Sequence, residues 1–399
     1  MKQGAANRRS TVKRGAGPVA TAAAFTTLCA AIGVQMPFFP LFLTARGLGP
    51  EAVGFAIAMP MAVRLVAMPL AGVVSDKSGS PRAVLVVLGL LSTASFALVG
   101  LVSGTAAILF AVGLSAVVWS PVFALLESYA VQLAKLRTVD YGRSRIWGSA
   151  SFVAANVGVG YLLDFTSPGA IIWLMAAPCF LFGIAARFLP VLAHPEHEAQ
   201  LTIARPPKAL LLGVLAAALV QASHALLYAF SSLQWSARGL SPAVIGVLWS
   251  LGTTAEIVLF FVGTQLVRKI PALRLIALGG LAAVLRFGVF ALDPPAVSSI
   301  ALLQTLHAFS FGATHLGLMA LIAEHAPGHQ AGRAQTFASA VLGFAMAAAT
   351  VAAGPLYVRW GAAAYGWFAA LAAIGGALAL AGRAQPHKAG MGGEISAPL

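Results

Sequence analysis

The sequence predicts an all-α polytopic membrane protein, with twelve transmembrane helices in two six-helix bundles. Three observations lead there. The 399 residues are 59% hydrophobic and only 9% charged, against roughly 25% charged in a soluble domain, so there is too little polar surface to clothe a globule of this size. Apolar runs of about 20 residues recur between short charged connectors, the signature of spanning helices. The second half of the chain also repeats landmarks of the first.

Taken in order, the apolar runs lie at 19–45, 52–74, 83–102, 105–133, 146–163 and 169–189, then at 210–235, 244–266, 273–292, 296–322, 336–358 and 362–382. The first follows Lys2, Arg8, Arg9, Lys13 and Arg14 and mimics a signal peptide, but it is too long for one and is read as a retained first helix. The most polar, Pro-rich interior stretch runs from Ala193 to Lys208 and reads as a linker. The chain thus divides into a tail over 1–18, a bundle over 19–189, a linker over 190–209, a bundle over 210–382 and a tail over 383–399.

A net charge of +14 would point to nucleic acid in a soluble protein. Here the positive residues sit in alternate connectors, and no nucleic-acid partner is expected. Of 25 Lys and Arg, only Arg46, Arg238 and Arg359 fall on one side, and Arg64 and Arg286 lie within spans. The remaining 20 share the other side, which by the positive-inside rule is cytoplasmic and holds both termini. The expected location is the bacterial inner membrane.

The motif R-G-L-G-P-E-A-V-G at Arg46–Gly54 returns as R-G-L-S-P-A-V-I-G at Arg238–Gly246. Continued without a gap, this offset sets Arg64 opposite Glu256. Gly142-Arg143…Ser149-Ala150 is echoed by Gly332-Arg333…Ser339-Ala340. Parallel repeats of this kind build transporters whose binding site lies between the halves near the midplane.

Charges inside the spans need partners or water, since each costs about 2.5 kcal/mol or more at the centre of an isolated helix. Five stand out: Arg64, Glu127, Arg145, Glu256 and Arg286. A structural salt bridge between helices would also explain any one of them. Glu127 precedes Arg145 by eighteen positions, which places a carboxylate in one span and a guanidinium at the start of the next. Together the five leave one cation in excess, which favours an anionic small-molecule substrate. Polar and aromatic residues fall on single helical faces. These faces are Arg145, Ser149, Phe152 and Asn156; Gln221, His224, Tyr228, Ser231 and Trp235; Trp249, Thr253, Glu256 and Phe260; and Gln304, His307, Phe311 and Thr314. One such stripe could be interhelical glue, but four favour a water-accessible cavity, and the rings suit a flat apolar group. His315 reads as packing. His325 and His329 are separated by Pro327-Gly328, which argues against a helical metal site. No metalloprotease, hydrolase or P-loop motif occurs, so no enzyme activity, catalytic residue, metal or cofactor is expected.

The connector Gly72-x-x-x-Asp76-Lys77-x-Gly79, followed by Arg82, resembles the signature between helices 2 and 3 of major facilitator transporters, where it serves gating. D-Y-G-R-S-R-I-W-G-S at 140–149, Q-A-S-H-A-L-L-Y-A-F at 221–230, G-V-L-W-S-L-G-T-T-A-E at 246–256, L-R-F-G at 285–288 and Q-T-L-H-A-F at 304–309 are similar to the phenylpropionate permease branch of that superfamily, relatives of lactose permease. The resemblance covers nearly the whole chain and implies the major facilitator fold. It assigns Glu127 and Arg145 to the substrate-binding pair, and it matches Arg286 and His307 to that family's helix-9 arginine and helix-10 histidine. Two departures stand out. Ser310 replaces a protonated glutamate, and Glu256 lies one turn beyond the family's helix-8 glutamate, which falls at Thr253.

The expectation is a proton-coupled symporter, driven by the proton gradient, that imports a small aromatic carboxylate by alternating access as a functional monomer. Glu127, Arg145, Phe152, Asn156, His224, Tyr228, Trp249, Arg286 and His307 are the expected substrate contacts, with Arg145 or Arg286 on the carboxylate. Glu256 is the expected proton carrier, with Glu127, Arg286 and His307 as further coupling residues. A sugar or nucleoside symporter, a drug antiporter and a non-transporting membrane sensor are the alternatives.

Overall fold

The computed structural model describes residues 16–192, 207–326 and 331–382. Residues 1–15 of the expected N-terminal tail, the C-terminal tail and most of the expected linker, with His329, lie outside the described residues, and α1 begins at Ala16, inside the expected tail. The rest is helical: α1 (Ala16–Ala45), α2 (Pro50–Ser78), α3 (Pro81–Leu101), α4 (Thr105–Lys135), α5 (Tyr141–Leu163), α6 (Ile171–Arg187), α7 (Lys208–Ala237), α8 (Pro242–Lys269), α9 (Ala272–Phe290), α10 (Val297–His325), α11 (Ala331–Trp360) and α12 (Tyr365–Gly382). Eleven stretches among the described residues are long and apolar enough to cross a membrane. The last, Gly332–Gly382, has 51 residues, about 75 Å of helix against a core of about 30 Å. It holds both α11 and α12, joined by the 3-10 turn Gly361–Ala364, and so accounts for two crossings.

The crossings alternate between a basic face, where α1 begins, and the opposite far face. Helices α1 to α6 pack chiefly on one another, as do α7 to α12. Three seams join the two sets: α2 with α11, α5 with α8, and α1 with the second half of α7. The R-G-L-x-P repeat has one structural meaning in both sets. Gly47 and Gly239 sit at φ 85° and 83°, left-handed conformations that glycine adopts without strain. The next residue closes the helix end, Leu48 N–H to the Leu43 carbonyl and Leu240 N–H to the Trp235 carbonyl, each 3.1 Å. Pro50 and Pro242 then open the following helix, where a missing N–H costs nothing. Arg46 reaches the carbonyls of Gly100 and Val102 at the end of α3. Arg238 reaches those of Pro294 and Pro295 after α9, together with the Asp293 carboxylate. Each arginine thus ties the first connector of its set to the end of the third helix.

The seams close toward the far face. Gly160 lies against the Pro242 carbonyl and Gly246 against the Asn156 carbonyl, so closely that a methyl group at either glycine would come within 2.5 or 2.1 Å of oxygen. Gly54 meets Gly354, and Thr350 meets Met61. The wedge between the two sets is closed by these backbone contacts toward the far face, outside which Leu41, Leu48, Leu163, Leu233 and Tyr357 line a cavity of about 520 Å³.

Three helices that line the wedge break at mid-length. In α4 the break is at Ser120–Pro121, in α7 at Ser223–His224, and in α10 a π-turn spans Ala308–Ala313. Such breaks are tolerated at membrane depth only where protein or cavity water satisfies the freed backbone, and π-turns recur at functional sites.

Candidate functional site

Helix α5 starts earlier than its apolar run implies. Asp140 caps it, its Oδ1 accepting the Arg143 N–H at 3.0 Å. Asp140 is therefore a helix start rather than a member of the charge site, and Arg145 stands one turn inside. Its Nε donates to Glu127 Oε1 at 3.3 Å, and Tyr141 Oη donates to the same oxygen at 3.3 Å. Arg145 also approaches the hydroxyl of Ser149 at 3.4 Å. The guanidinium lies 5.2 and 5.8 Å from the ring centroids of Phe123 and Phe25, within cation–π range. Both charged side chains keep about a third of their surface exposed (33% and 35%), so the pair faces the wedge.

The second cluster joins α7, α8, α9 and α10. Arg286 is buried, with 1% exposed. Its Nη2 donates to Gln304 Oε1, and its Nη1 reaches His307 Nδ1 at 3.1 Å and Ser310 Oγ at 3.4 Å. A guanidinium only donates, so His307 Nδ1 is the acceptor and its proton stands on Nε2. That nitrogen faces Glu256 Oε2 at 3.4 Å. His224 is fixed in the other sense. Its Nδ1 lies 3.2 Å from the Val220 and Gln221 carbonyls and must donate, which leaves Nε2 to accept from Ser310 Oγ at 3.0 Å. The buried guanidinium thus orients His307 and touches His224 only through Ser310, and a polarised chain runs from Arg286 through His307 to Glu256. Gln304 is held in turn by its Nε2, which donates to the Leu248 carbonyl at 3.0 Å.

Beside this chain lies an aromatic wall. Tyr228 stacks on Trp249 with centroids 6.0 Å apart and stands 5.8 Å from His224. Trp249 Nε1 donates to Ser232 Oγ at 3.0 Å. His307, Phe311 and His315 form a column with successive centroid separations of 5.1 and 6.4 Å. The π-turn changes the phase of α10, so His315 rather than Thr314 continues the stripe. Thr314 instead lies buried against Gly279 of α9.

Of the expected residues, His224, Tyr228, Trp249, Glu256, Arg286 and His307 come together, and Glu127 pairs with Arg145. The Glu127–Arg145 pair stands on α4 and α5 and the second cluster on α7 to α10, so the two lie on opposite sides of the wedge. Phe152 is half-buried beside Gly33 of α1. Asn156 sits in the α5–α8 seam, fully buried with both amide atoms unpartnered. In the α2–α3 turn, Gly79 closes α2 at φ 68°, and Gly72 of α2 meets no neighbour. Asp76 and Lys77 are exposed at the end of α2. Arg82 Nη1 donates to the Leu189 carbonyl after α6 at 3.2 Å. Sequence reasoning passed over Ser310 as a mere departure and kept Gln304 only as one of a stripe. Tyr141 carried no signal beyond its place beside Arg143.

A twelve-crossing helical protein with paired charges facing an inter-bundle wedge is a secondary transporter of the major facilitator kind, and not an enzyme. Residues 23–369 match the model described as the MFS_1 like family, and the chain belongs to that family. It is 30% identical, over 360 residues, to an Escherichia coli (strain K12) protein named as a probable 3-phenylpropionic acid transporter, covering 86% of this chain and 91% of that one. Among solved structures, the nucleoside transporter NupG shares the fold with a TM-score of 0.78 at 14% identity, over 92% of this chain and 98% of that one. A D-xylose-proton symporter does so with a TM-score of 0.69 at 14% identity, over 90% and 95%. A small-molecule substrate and a membrane setting follow from these relationships.

Proposed function

We propose that the protein is a proton-coupled symporter that brings a small aromatic carboxylate, of the phenylpropionate kind, across the bacterial inner membrane by alternating access. Both chain ends lie in the cytoplasm, and the halves over 19–189 and 210–382 rock about the wedge. The observation that carries this reading is the Glu256–His307–Arg286 chain. An ionised carboxylate at membrane depth resists the closing of the wedge over it, because closure strips its water. Protonating Glu256 removes that cost, so the loaded carrier reorients with one proton aboard. The substrate ring stacks on the Tyr228–Trp249 wall, and its carboxylate is drawn by the cationic excess of the wedge. The named Escherichia coli relative supports the substrate class.

The test is uptake of labelled 3-phenylpropionate by the purified carrier in proteoliposomes under an imposed proton gradient. Wild type accumulates it uphill. Glu256→Gln loses accumulation and keeps substrate exchange. Accumulation retained by Glu256→Gln overturns the carrier role, and accumulation of a sugar or nucleoside in place of the acid overturns the substrate class.

A further inference from the structure

The wedge holds three arginines and two glutamates, and the contacts show which cation is the surplus one. Arg145 is paired with Glu127. Arg286 is surrounded by Gln304, His307 and Ser310 and connects through His307 to Glu256. Arg64 has neither kind of partner. Among the described residues its only hydrogen-bond partner is a thioether, Met68 Sδ, 2.9 Å from Nε. A sulfur is a weak acceptor, and both Nη groups, the prongs that grip a carboxylate in parallel, are left open.

Its position argues against a lipid-facing accident. Arg64 is the middle residue of the 29-residue α2 and is exposed. An arginine turned into hydrocarbon at that depth would cost several kcal/mol. Met61 and Leu65, beside it on the helix surface, face Thr350 and Gly343 of α11 across the seam. Met59 and Phe55 form an outer groove with Leu109, Phe110 and Leu114 of α4. Met59 lies five positions from Arg64, about 140° around the helix. Arg64 therefore points between the seam and its own bundle, into the wedge.

We propose that Arg64 is the anion anchor of the transport site, binding the substrate carboxylate through its free Nη pair. This rests on the reading that the carried substrate is an aromatic monocarboxylate. Arg145 and Arg286 then serve to hold Glu127 and to polarise His307, and the carboxylate docks on the wall opposite the Tyr228–Trp249 stack. An elongated acid with its ring at one end and its charge at the other fits this arrangement better than a compact one.

The test compares binding of 3-phenylpropionate and of its neutral isostere 3-phenylpropionamide to the purified full-length carrier by calorimetry. Wild type favours the acid by about tenfold or more, as a charge-assisted fork should. Arg64→Ala and Arg64→Gln bring the two affinities level, and Arg64→Lys keeps part of the preference. The double substitution Glu127→Gln with Arg145→Gln, neutral overall, lowers both affinities alike and leaves the preference in place. Thermal melts of the Arg64 variants should match wild type, since no buried partner is lost. A full acid preference in Arg64→Ala or Arg64→Gln overturns the assignment while leaving the substrate class intact. A wild type that binds neither probe overturns the assignment and the substrate class together. The coupling role of Glu256 is read separately, from accumulation.

Discussion

Gly246 of α8 rests on the main-chain carbonyl of Asn156 of α5, with no room between them for a methyl group. The far-face seal of the wedge thus depends on two backbones touching, a contact that any side chain would wedge apart. Gly246→Ala should therefore weaken the closed far face. Overpacking of this sort costs about 1–3 kcal/mol, and here the obstructing atom is backbone and cannot swing away. A thiol placed at Ser250→Cys, buried in the α5–α8 seam, should label faster from the far face in Gly246→Ala than in the parent, and the melting temperature should fall. Unchanged labelling and melting would remove this contact from the seal.

The side chain of Asn156 gives the opposite prediction. Both of its amide atoms lack partners while it is fully buried, and such a group costs about 1–3 kcal/mol in the state that buries it. Asn156→Leu, similar in size, should stabilise the far-closed state and raise the melting temperature, while exchange slows because opening no longer recovers the amide's hydration. A lower melting temperature would mean that the amide is satisfied in the closed carrier.

Arg286→Ala should be the most destabilising of these changes. It strands Gln304, His307 and Ser310 in a buried pocket, and each buried polar group left without its partner costs about 1–3 kcal/mol. A melt in detergent reads the loss. Arg286→Lys should rescue it only in part, because one ammonium cannot reproduce a planar fork that serves three partners.

Ser310→Ala separates the two imidazoles. It removes the link from Arg286 to His224 and leaves the link to His307 untouched. Stability should fall by about 1–2 kcal/mol, with Ser310→Thr restoring it, while gradient-driven accumulation persists. Accumulation lost in Ser310→Ala but kept in Ser310→Thr would bring His224 into the proton path.

Much of this was legible in the residues because charge is rare in apolar sequence. Glu127 and Arg145 were visible as a pair from their spacing and the cost of leaving either alone. Glu256, Arg286 and His307 each stood out in their runs. What the sequence could not supply was direction. Which nitrogen of His307 bears the proton depends on Arg286 being within reach, and that depends on how α9 meets α10. The π-turn was invisible as well, and it is why His315 and not Thr314 prolongs the stripe. The R-G-L-x-P repeat was plain, but its purpose was not. Arg46 and Arg238 bind main-chain carbonyls at Gly100, Val102, Pro294 and Pro295, and a carbonyl leaves no mark in the letters.

The π-turn at Ala308–Ala313 makes α10 one residue longer than an unbroken helix joining the same two ends. Deleting a single residue there, Gly312 for instance, would let the turn relax into ordinary helix. Gln304 and His307 would stay keyed to Arg286, and the residues beyond would keep their phase, with Thr314 still against Gly279, because the turn already absorbs the extra residue. The turn is thus the one place in α10 where a change of one residue in length is taken up locally. A one-residue deletion elsewhere in α10, where no such turn absorbs it, would instead rotate one part of the helix against the other by about 100° and break the match of one end to the proton chain and of the other to α9.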